Sequence, residues 1–361
     1  MIDRSGRGTM EGERDRAIER IRALLESAGF YVTDAHHVRP TSFDLLARRD
    51  SLLLIVKVLK NIDALDPEEA GRLRALAALF PAAPLVVGQT SGSAALEPGV
   101  VYSRYGVPIL IEESLRESLL EGVPPFLFSS PGGIFARVDG DRLRELRVAR
   151  SLSLGALASA AGVSRRTIQL YEEGAGAEVS VVERLETFLG ETIALSLDLF
   201  SIPPSDPAGR TRGGPARDRG APGKRTPEGR PAEAPASDRP AGGERPSTGD
   251  RMRDRVFRHL DGMGWEVVVT VRCPFDAFSR GEWSREEEIL LTSVGSLRTA
   301  RRRAELLLQL ARVAEGHAFY VVPEMASRTA IDGLPLVTMG ELGRRRDPRE
   351  LVDLIAEREG S

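Results

Sequence analysis

The chain is short of the residues that staple or metallate a fold. A single cysteine among 361 residues, Cys273, excludes an internal disulfide, and four scattered histidines beside that one cysteine offer no zinc-ligand spacing. Long apolar runs are also missing, since none approaches the roughly 20 residues that a bilayer-spanning helix needs. With no secretory pattern at the N-terminus, the expected compartment is the cytoplasm. Strong net charge is absent too: 50 Lys and Arg against 53 Asp and Glu leave −3 at pH 7 and a pI near 6.0, which excludes a general polyanion binder. Any contact with nucleic acid has to be local. What remains, 41% hydrophobic and 29% charged residues over this length, is ordinary for a soluble protein of two or three domains.

The most informative stretch runs from Asp139 to Gly174. From Asp141 to Arg150, Leu143, Leu146 and Val148 fall inward at helical spacing, with Arg142, Arg144, Glu145 and Arg147 toward water. Ser153 is placed to cap a second helix, Leu154 to Ala161, whose buried face is Leu157, Ala158 and Ala161. Gly162 permits a tight turn, Val163 packs beneath it, and Ser164 caps a third helix with Ile168 and Tyr171 inward. The small Ala158 lets the two helices approach closely. The outward face of the third helix carries Arg165, Arg166, Gln169 and Leu170.

With these apolar positions, the turn glycine, the capping serine and the closing Tyr171-Glu172-Glu173-Gly174, the stretch resembles the Cro and xenobiotic-response-element class of DNA-binding domains. The resemblance implies an all-α helix-turn-helix domain over 139–200, with Ser164, Arg165, Arg166, Thr167, Gln169 and Leu170 as the DNA-binding residues and double-stranded DNA as the partner. One departure stands out. That class often carries Gln at the start of the second helix, as a phosphate contact, and here Leu154 and Gly155 occupy the place. A purely structural use as a dimerisation or docking module is the alternative: adjacent Arg165 and Arg166 argue against it, and the near balance of acids and bases across the module argues for it. Near neutrality also implies modest nonspecific affinity, so a homodimer is expected.

Residues 1–12, rich in Gly and Arg, are expected to be disordered, and structure to begin at Glu13. Ala17, Ile18, Ile21, Leu24 and Leu25 recur at helical spacing up to Gly29. Strands follow at FYVTDAHHV and FDLLARR, then SLLLIVKVL, apolar enough to be a central strand buried on both faces. Pro67 opens a helix; the strand PLVVG and a closing segment with a last helix complete an α/β domain over 13–122. This order, with Asp44 on one strand and Lys57 on the next, resembles the PD-(D/E)xK fold of restriction endonucleases and Holliday-junction resolvases. In its active members two acids and a Lys gather Mg²⁺ and a hydrolytic water. Here Ile55 stands two residues before Lys57, leaving Asp44, with Glu13, as the available carboxylates; a structural Asp44–Lys57 ion pair is the expected outcome.

A Pro- and Gly-rich connector, 123–138, leads into the helix-turn-helix, and at its end Ile193, Leu195 and Leu197 alternate as in a strand that would pair across a dimer. From 203 to 250 the near absence of Leu, Ile, Val and aromatics predicts a disordered linker. The remaining segment, 251–361, repeats the first domain in outline: RDRVFRHLDGMG, WEVVVTVRC, PFDAFSR, EEEILLTSVGS, an Arg- and Leu-rich helix, AFYVVPE and GLPLVTMGEL follow in the same order. It retains an acid, Asp276, but has no Lys on its central strand, and Glu286, Glu287 and Glu288 read as a solvated acidic edge. The linker is expected to keep the two repeats from pooling residues. The fold class is therefore multidomain α+β, a central all-α Cro-type domain between two degenerate endonuclease-like α/β domains. As a whole, the chain resembles a family of archaeal helix-turn-helix transcriptional regulators, most specifically through RPTSFDLLARRDSLLLIVKVLKNID and the helix-turn-helix. The resemblance implies a sequence-specific regulator, and the incomplete acid and lysine sets of the two repeats predict no catalytic residue and no metal, with no cofactor expected; a structure-specific nuclease is the alternative.

Overall fold

The computed structural model describes residues 5–34, 41–200, 250–281, 288–323 and 328–359. The linker segment 203–249 and the acidic residues Glu286 and Glu287 lie outside the described residues.

The first described element is helix α1 (Ser5–Ser27), which buries Ala17, Ile18, Ile21, Leu24 and Leu25 and is followed by Gly29 at φ +83°. The expected start at Glu13 is corrected to Ser5, because a helix nucleated by that buried stripe propagates outward at little cost per residue. Three antiparallel strands follow, β1 (Tyr31–Asp34), β2 (Leu45–Arg49) and β3 (Leu52–Asn61). Helix α2 (Pro67–Leu79), with Asp66 as its N-cap and Pro67 in its first turn, crosses to β4 (Ala83–Ser91), parallel to β3. After the short β5 (Ala94–Ala95) come β6 (Val100–Arg104), β7 (Val107–Leu110), and α3 (Glu112–Arg116) continuing as a π turn through Glu121. The sheet order is β1-β2-β3-β4-β7-β6. Leu54, Val56 and Val58 of β3 pack against α1, whereas Leu53 and Ile55 pack on the α2 side, so the central strand is covered on both faces as its apolar run predicts.

The segment read as a connector is instead a hairpin, β8 (Leu127–Ser130) and β9 (Gly133–Val138). β8 pairs in parallel with β6, so the sheet runs on without a break into the next module. Gly132 and Gly133, at φ +112° and +145°, provide the turn, and the alternation of Phe128, Ile134 and Ala136 was obscured by the flanking prolines and glycines. Four helices follow, α4 (Gly140–Ala149), α5 (Leu154–Ala161), α6 (Arg165–Glu172) and, after β10 (Gly176–Glu178), α7 (Val179–Leu189). The strand expected to pair across a dimer is β11 (Ala194–Leu195), and its partner is β9 of the same chain. Its continuation turns back to the first unit: the Leu197 amide donates to the Pro125 carbonyl at 2.7 Å, and Leu197 and Leu199 are buried beside α1.

The final segment comprises α8 (Arg251–Gly262), β12 (Glu266–Val269), β13 (Ala277–Gly281), β14 (Glu288–Val294), α9 (Leu297–Ala314), β15 (His317–Val322), β16 (Ala330–Ile331), β17 (Leu334–Thr338), α10 (Met339–Arg344) and α11 (Pro348–Arg358). Its sheet order, β12-β13-β14-β15-β17-β16, and its alternation of antiparallel and parallel pairings match those of the first sheet. The two α/β units are not held apart by the helices between them in sequence. They share one apolar core, in which Phe80 lies 4.9 Å from Phe278 and 5.9 Å from Phe275, centroid to centroid. Phe80, just past the end of α2, and the apolar side of α9 that lies across β1 and β2 are removed from water by this packing.

The last strand is locked by charge. Arg358 donates to Glu341 Oε1 at 2.6 Å and to the Leu336 carbonyl, while Thr338 and Glu341 form a reciprocal capping box at the start of α10. The guanidinium and the cap hold the Glu341 carboxyl down at about 2 from its ordinary 4.5. Because the folded value is depressed, the stabilisation is complete above pH 4.5 and lost as pH falls toward 2. Arg358→Ala should flatten the fall of Tm between these pH values, measured by circular dichroism; an acid limb as steep as that of the wild type would refute the linkage.

Candidate nucleic-acid interface

Local chemistry shapes the helix-turn-helix. Asp139 accepts from the Arg142 amide at 2.9 Å, Ser153 from Ala156 at 3.1 Å and Ser164 from Thr167 at 3.1 Å, so each of α4, α5 and α6 begins with a satisfied cap. Gly162, at φ +70°, closes α5 and turns the chain into α6. Leu143, Leu146, Leu157, Ala158, Ala161, Ile168 and Tyr171 meet in one core with Val181, Val182, Leu185 and Leu189 of α7. Val148, expected inward, is 61% exposed, because the helix turns it past the seam that Leu143 and Leu146 occupy.

Glu172, counted in the sequence only as an offsetting charge, is a buried anchor. It takes Arg147 Nε at 2.5 Å and Nη2 at 3.0 Å, with Arg144 Nε at 3.5 Å, and so ties the end of α6 to α4. This hydrogen bonding raises the pKa of Arg147 further, and Arg144 and Arg147 are partnered rather than merely solvated. Gly140 is required beside this contact, since a Cβ there would stand 2.6 Å from the Glu172 carbonyl oxygen. The spacing between Arg147 and Glu172 in the chain gives no local signal for the pair.

With its inner face fixed, α6 presents Ser164, Arg165, Arg166 and Gln169 to solvent, while Thr167 and Leu170 are half-buried. The Ser164 and Thr167 hydroxyls lie 2.8 Å apart, engaged in the cap. Among the described residues no carboxylate pairs with Arg165 or Arg166. Gly155, a departure in the sequence, has a steric role: a Cβ at that position would lie 3.0 Å from Arg165 Nε, so the missing side chain makes room for this arginine across the start of α5. Arg184 donates to the Ala161 carbonyl at 2.9 Å and closes the other end of α5.

In the first α/β unit, Asp44 and Lys57 do not pair with each other. Asp44, almost wholly buried, meets Arg14 of α1 at 2.6 Å and accepts from the Val58 amide at 2.9 Å. Lys57 meets Glu69 of α2 at 2.7 Å. The expected ion pair is thus corrected to two pairs, one toward each helix layer, because Asp44 precedes β2 and turns to the α1 side. Ile55 is buried on the α2 side. Glu13, the other candidate carboxylate, is exposed and taken by Lys60 at 2.8 Å, which lowers its pKa. The second unit repeats the arrangement without the lysine: the Val294 amide donates to Asp276 at 2.8 Å, and Arg253 and Arg303 approach the same carboxylate at 3.2 and 3.8 Å. Ser293, in register with Tyr320, follows Thr292 where Lys57 follows Val56. Among the described residues no group of three His, Cys, Asp or Glu is arranged to hold a metal ion.

Residues 14–125 match the family described as a PD-(D/E)XK superfamily domain, and residues 140–196 match a helix-turn-helix domain family. No solved structure matches the chain. Among sequence relatives, a protein of Halorubrum lacusprofundi is 36% identical over 96% of this chain and 97% of its own length, one of Haloquadratum walsbyi is 35% identical over 96% and 97%, and one of Methanosarcina mazei is 33% identical over 94% and 96%. All three carry the name "Putative HTH-type transcriptional regulatory protein", with a locus tag in the second. With its endonuclease-like unit followed by a helix-turn-helix, and with matches spanning nearly its full length, the chain belongs to this family of archaeal HTH-type transcriptional regulatory proteins.

Proposed function

We propose that the chain is a sequence-specific, DNA-binding transcriptional regulator that reads double-stranded DNA through α6 of a Cro-type helix-turn-helix, as a cytoplasmic homodimer. The observation that carries this reading is the exposed start of α6, where Arg165, Arg166 and Gln169 face solvent, the two arginines with no carboxylate partner among the described residues, on a helix fixed from behind by Ile168, Tyr171 and the buried Glu172. A helix whose N-terminal residues are free while its inner face is rigid is what major-groove readout requires. Ser164 and Thr167 keep that start capped, and Leu170 and Gln169 lie one turn on. The names of the relatives favour the same function.

Arg165 and Arg166 are assigned to base or phosphate contact, and an arginine gripping guanine through two hydrogen bonds is worth about 1–3 kcal/mol of discrimination. Arg165→Ala and Arg166→Ala should each weaken binding to the best natural site by roughly that amount, at unchanged helicity. A titration at fixed salt in which neither change alters affinity would discard the assignment. A homodimer follows because one module reads too few base pairs for genomic selectivity, and two half-sites about one helical turn apart supply the rest. Light scattering should find two chains per complex at micromolar concentration; a monomer both free and on DNA would contradict it.

In this reading residues 251–361 are a second, degenerate endonuclease-like domain, and neither unit cleaves DNA. The competing function, a structure-specific nuclease, is favoured by the PD-(D/E)XK match over 14–125. Against it, Arg14 sits on the acid, Glu69 on the lysine, and Ile55 where a second acid is needed. Linear and branched DNA should survive incubation with Mg²⁺ or Mn²⁺. Asp44→Ala should leave DNA binding intact while costing about 1–3 kcal/mol of stability, since it orphans the Val58 amide and Arg14. Cleavage by the purified protein that disappears in Asp44→Ala or Lys57→Ala would instead establish the nuclease.

A further inference from the structure

The contact between the two α/β units is reciprocal. Equivalent positions are fixed by the acids that open β2 and β13. The Asp44 amide donates to the Val56 carbonyl and its carboxylate accepts from Val58; the Asp276 amide donates to Thr292 and its carboxylate accepts from Val294. Four residues beyond each acid stands an arginine, Arg48 on β2 and Arg280 on β13. Arg48 Nη1 donates to the carbonyl of Val313, near the end of α9, at 2.9 Å. Arg280 Nη2 donates to the carbonyl of Leu79, the last residue of α2, also at 2.9 Å. Each arginine thus satisfies one of the orphan carbonyls at the C-terminus of the other unit's crossover helix, where a cation is also favoured by the helix dipole.

Apolar contacts cross in both directions as well, more extensively from α9 than from α2. Phe80, at the end of α2, lies on Phe275 and Phe278 around β13, and α9 lies in turn across β1 and β2. Residues of both units, from Phe43 and Leu46 to Leu307 and Leu310, belong to one buried cluster. A surface that meets its own counterpart, with residue i of one copy touching j of the other and j touching i, is the signature of an isologous two-fold interface. Here both copies lie on a single polypeptide.

We propose that the α2–β2 face of the N-terminal unit is a self-association surface for this fold, and that the C-terminal unit is its built-in partner. One chain thereby forms the pair that two separate copies would otherwise form. The C-terminal unit occupies the face completely enough that a second full-length chain cannot use it, and any pairing of two helix-turn-helix modules must go through a different surface. The hairpin β8–β9 extends only the N-terminal sheet, so the internal pair is symmetric in its α/β parts and carries one DNA-reading module.

Hydrogen exchange followed by mass spectrometry on the full-length protein tests this. Arg280→Ala should speed exchange not only around 277–281 but also at 76–80 across the interface, and Arg48→Ala should do the same at 45–49 and 309–315. About three- to tenfold is expected, the opening that loss of one hydrogen bond produces. The two single changes are mild enough that one failing to fold leaves the other to decide. Effects confined to the mutated unit in both variants would overturn the proposal. So would loss of protection at these four segments when the wild-type protein is diluted from micromolar to nanomolar, since that would place the contact between chains.

Discussion

The apolar layer between the two α/β units, where Phe80 meets Phe275 and Phe278 and α9 lies across β1 and β2, is the constraint from which most of the remaining architecture follows. Helix α9 is covered on one side by its own sheet, and its other apolar residues, like Phe80 beyond α2, need a second surface that their own unit does not supply. Apolar area removed from water contributes about 25 cal/mol per Å², and this layer, with Phe80, Phe275 and Phe278 at its centre, joins two sheets into one body. The arginines at its rim do not create that attraction. They satisfy helix-end carbonyls that the apolar contact would otherwise strand.

Within this body, the buried acids that open β2 and β13 gather arginine. A buried carboxylate demands compensation, and in the first unit Asp44 finds it in Arg14 and a strand amide, as Asp276 does in Arg253, Arg303 and the Val294 amide. A guanidinium thereby supplies the positive charge that each buried carboxylate needs. Lys57, separated from the acid and held by Glu69, is likewise satisfied by structure. The carboxylates hold helices α1 and α8 to the starts of the strands.

The helix-turn-helix stands on this body through continuous backbone pairing rather than a loose tether. β6 pairs with β8, β8 with β9, and β9 with both β10 and β11, so the sheet of the first unit becomes the floor of the helical module. From there the chain returns, burying Leu197 and Leu199 against α1. Such double attachment fixes the direction in which α6 points. A regulator benefits, because groove reading depends on helix orientation as much as on the side chains presented.

How much of this was legible depended on the range of the interaction. Caps at Asp139, Ser153 and Ser164, the turn at Gly162, the doubly buried β3 and the repeat of element order within 251–361 all arise from contacts a few residues apart or from simple periodicity, and these appear in the sequence directly. The hairpin β8–β9 was masked by turn residues lying between short strands. Arg147 on Glu172, Arg14 on Asp44, Lys57 on Glu69, and Arg165 over Gly155 join residues on different elements, and no spacing in the chain encodes which of several acids a given base will meet. The packing of the two α/β units belongs to the same category: an amphipathic pattern declares that a helix face must be covered, and only the tertiary structure selects the surface that covers it, because burial is non-directional and many apolar surfaces satisfy it equally until shape and rim hydrogen bonds choose among them.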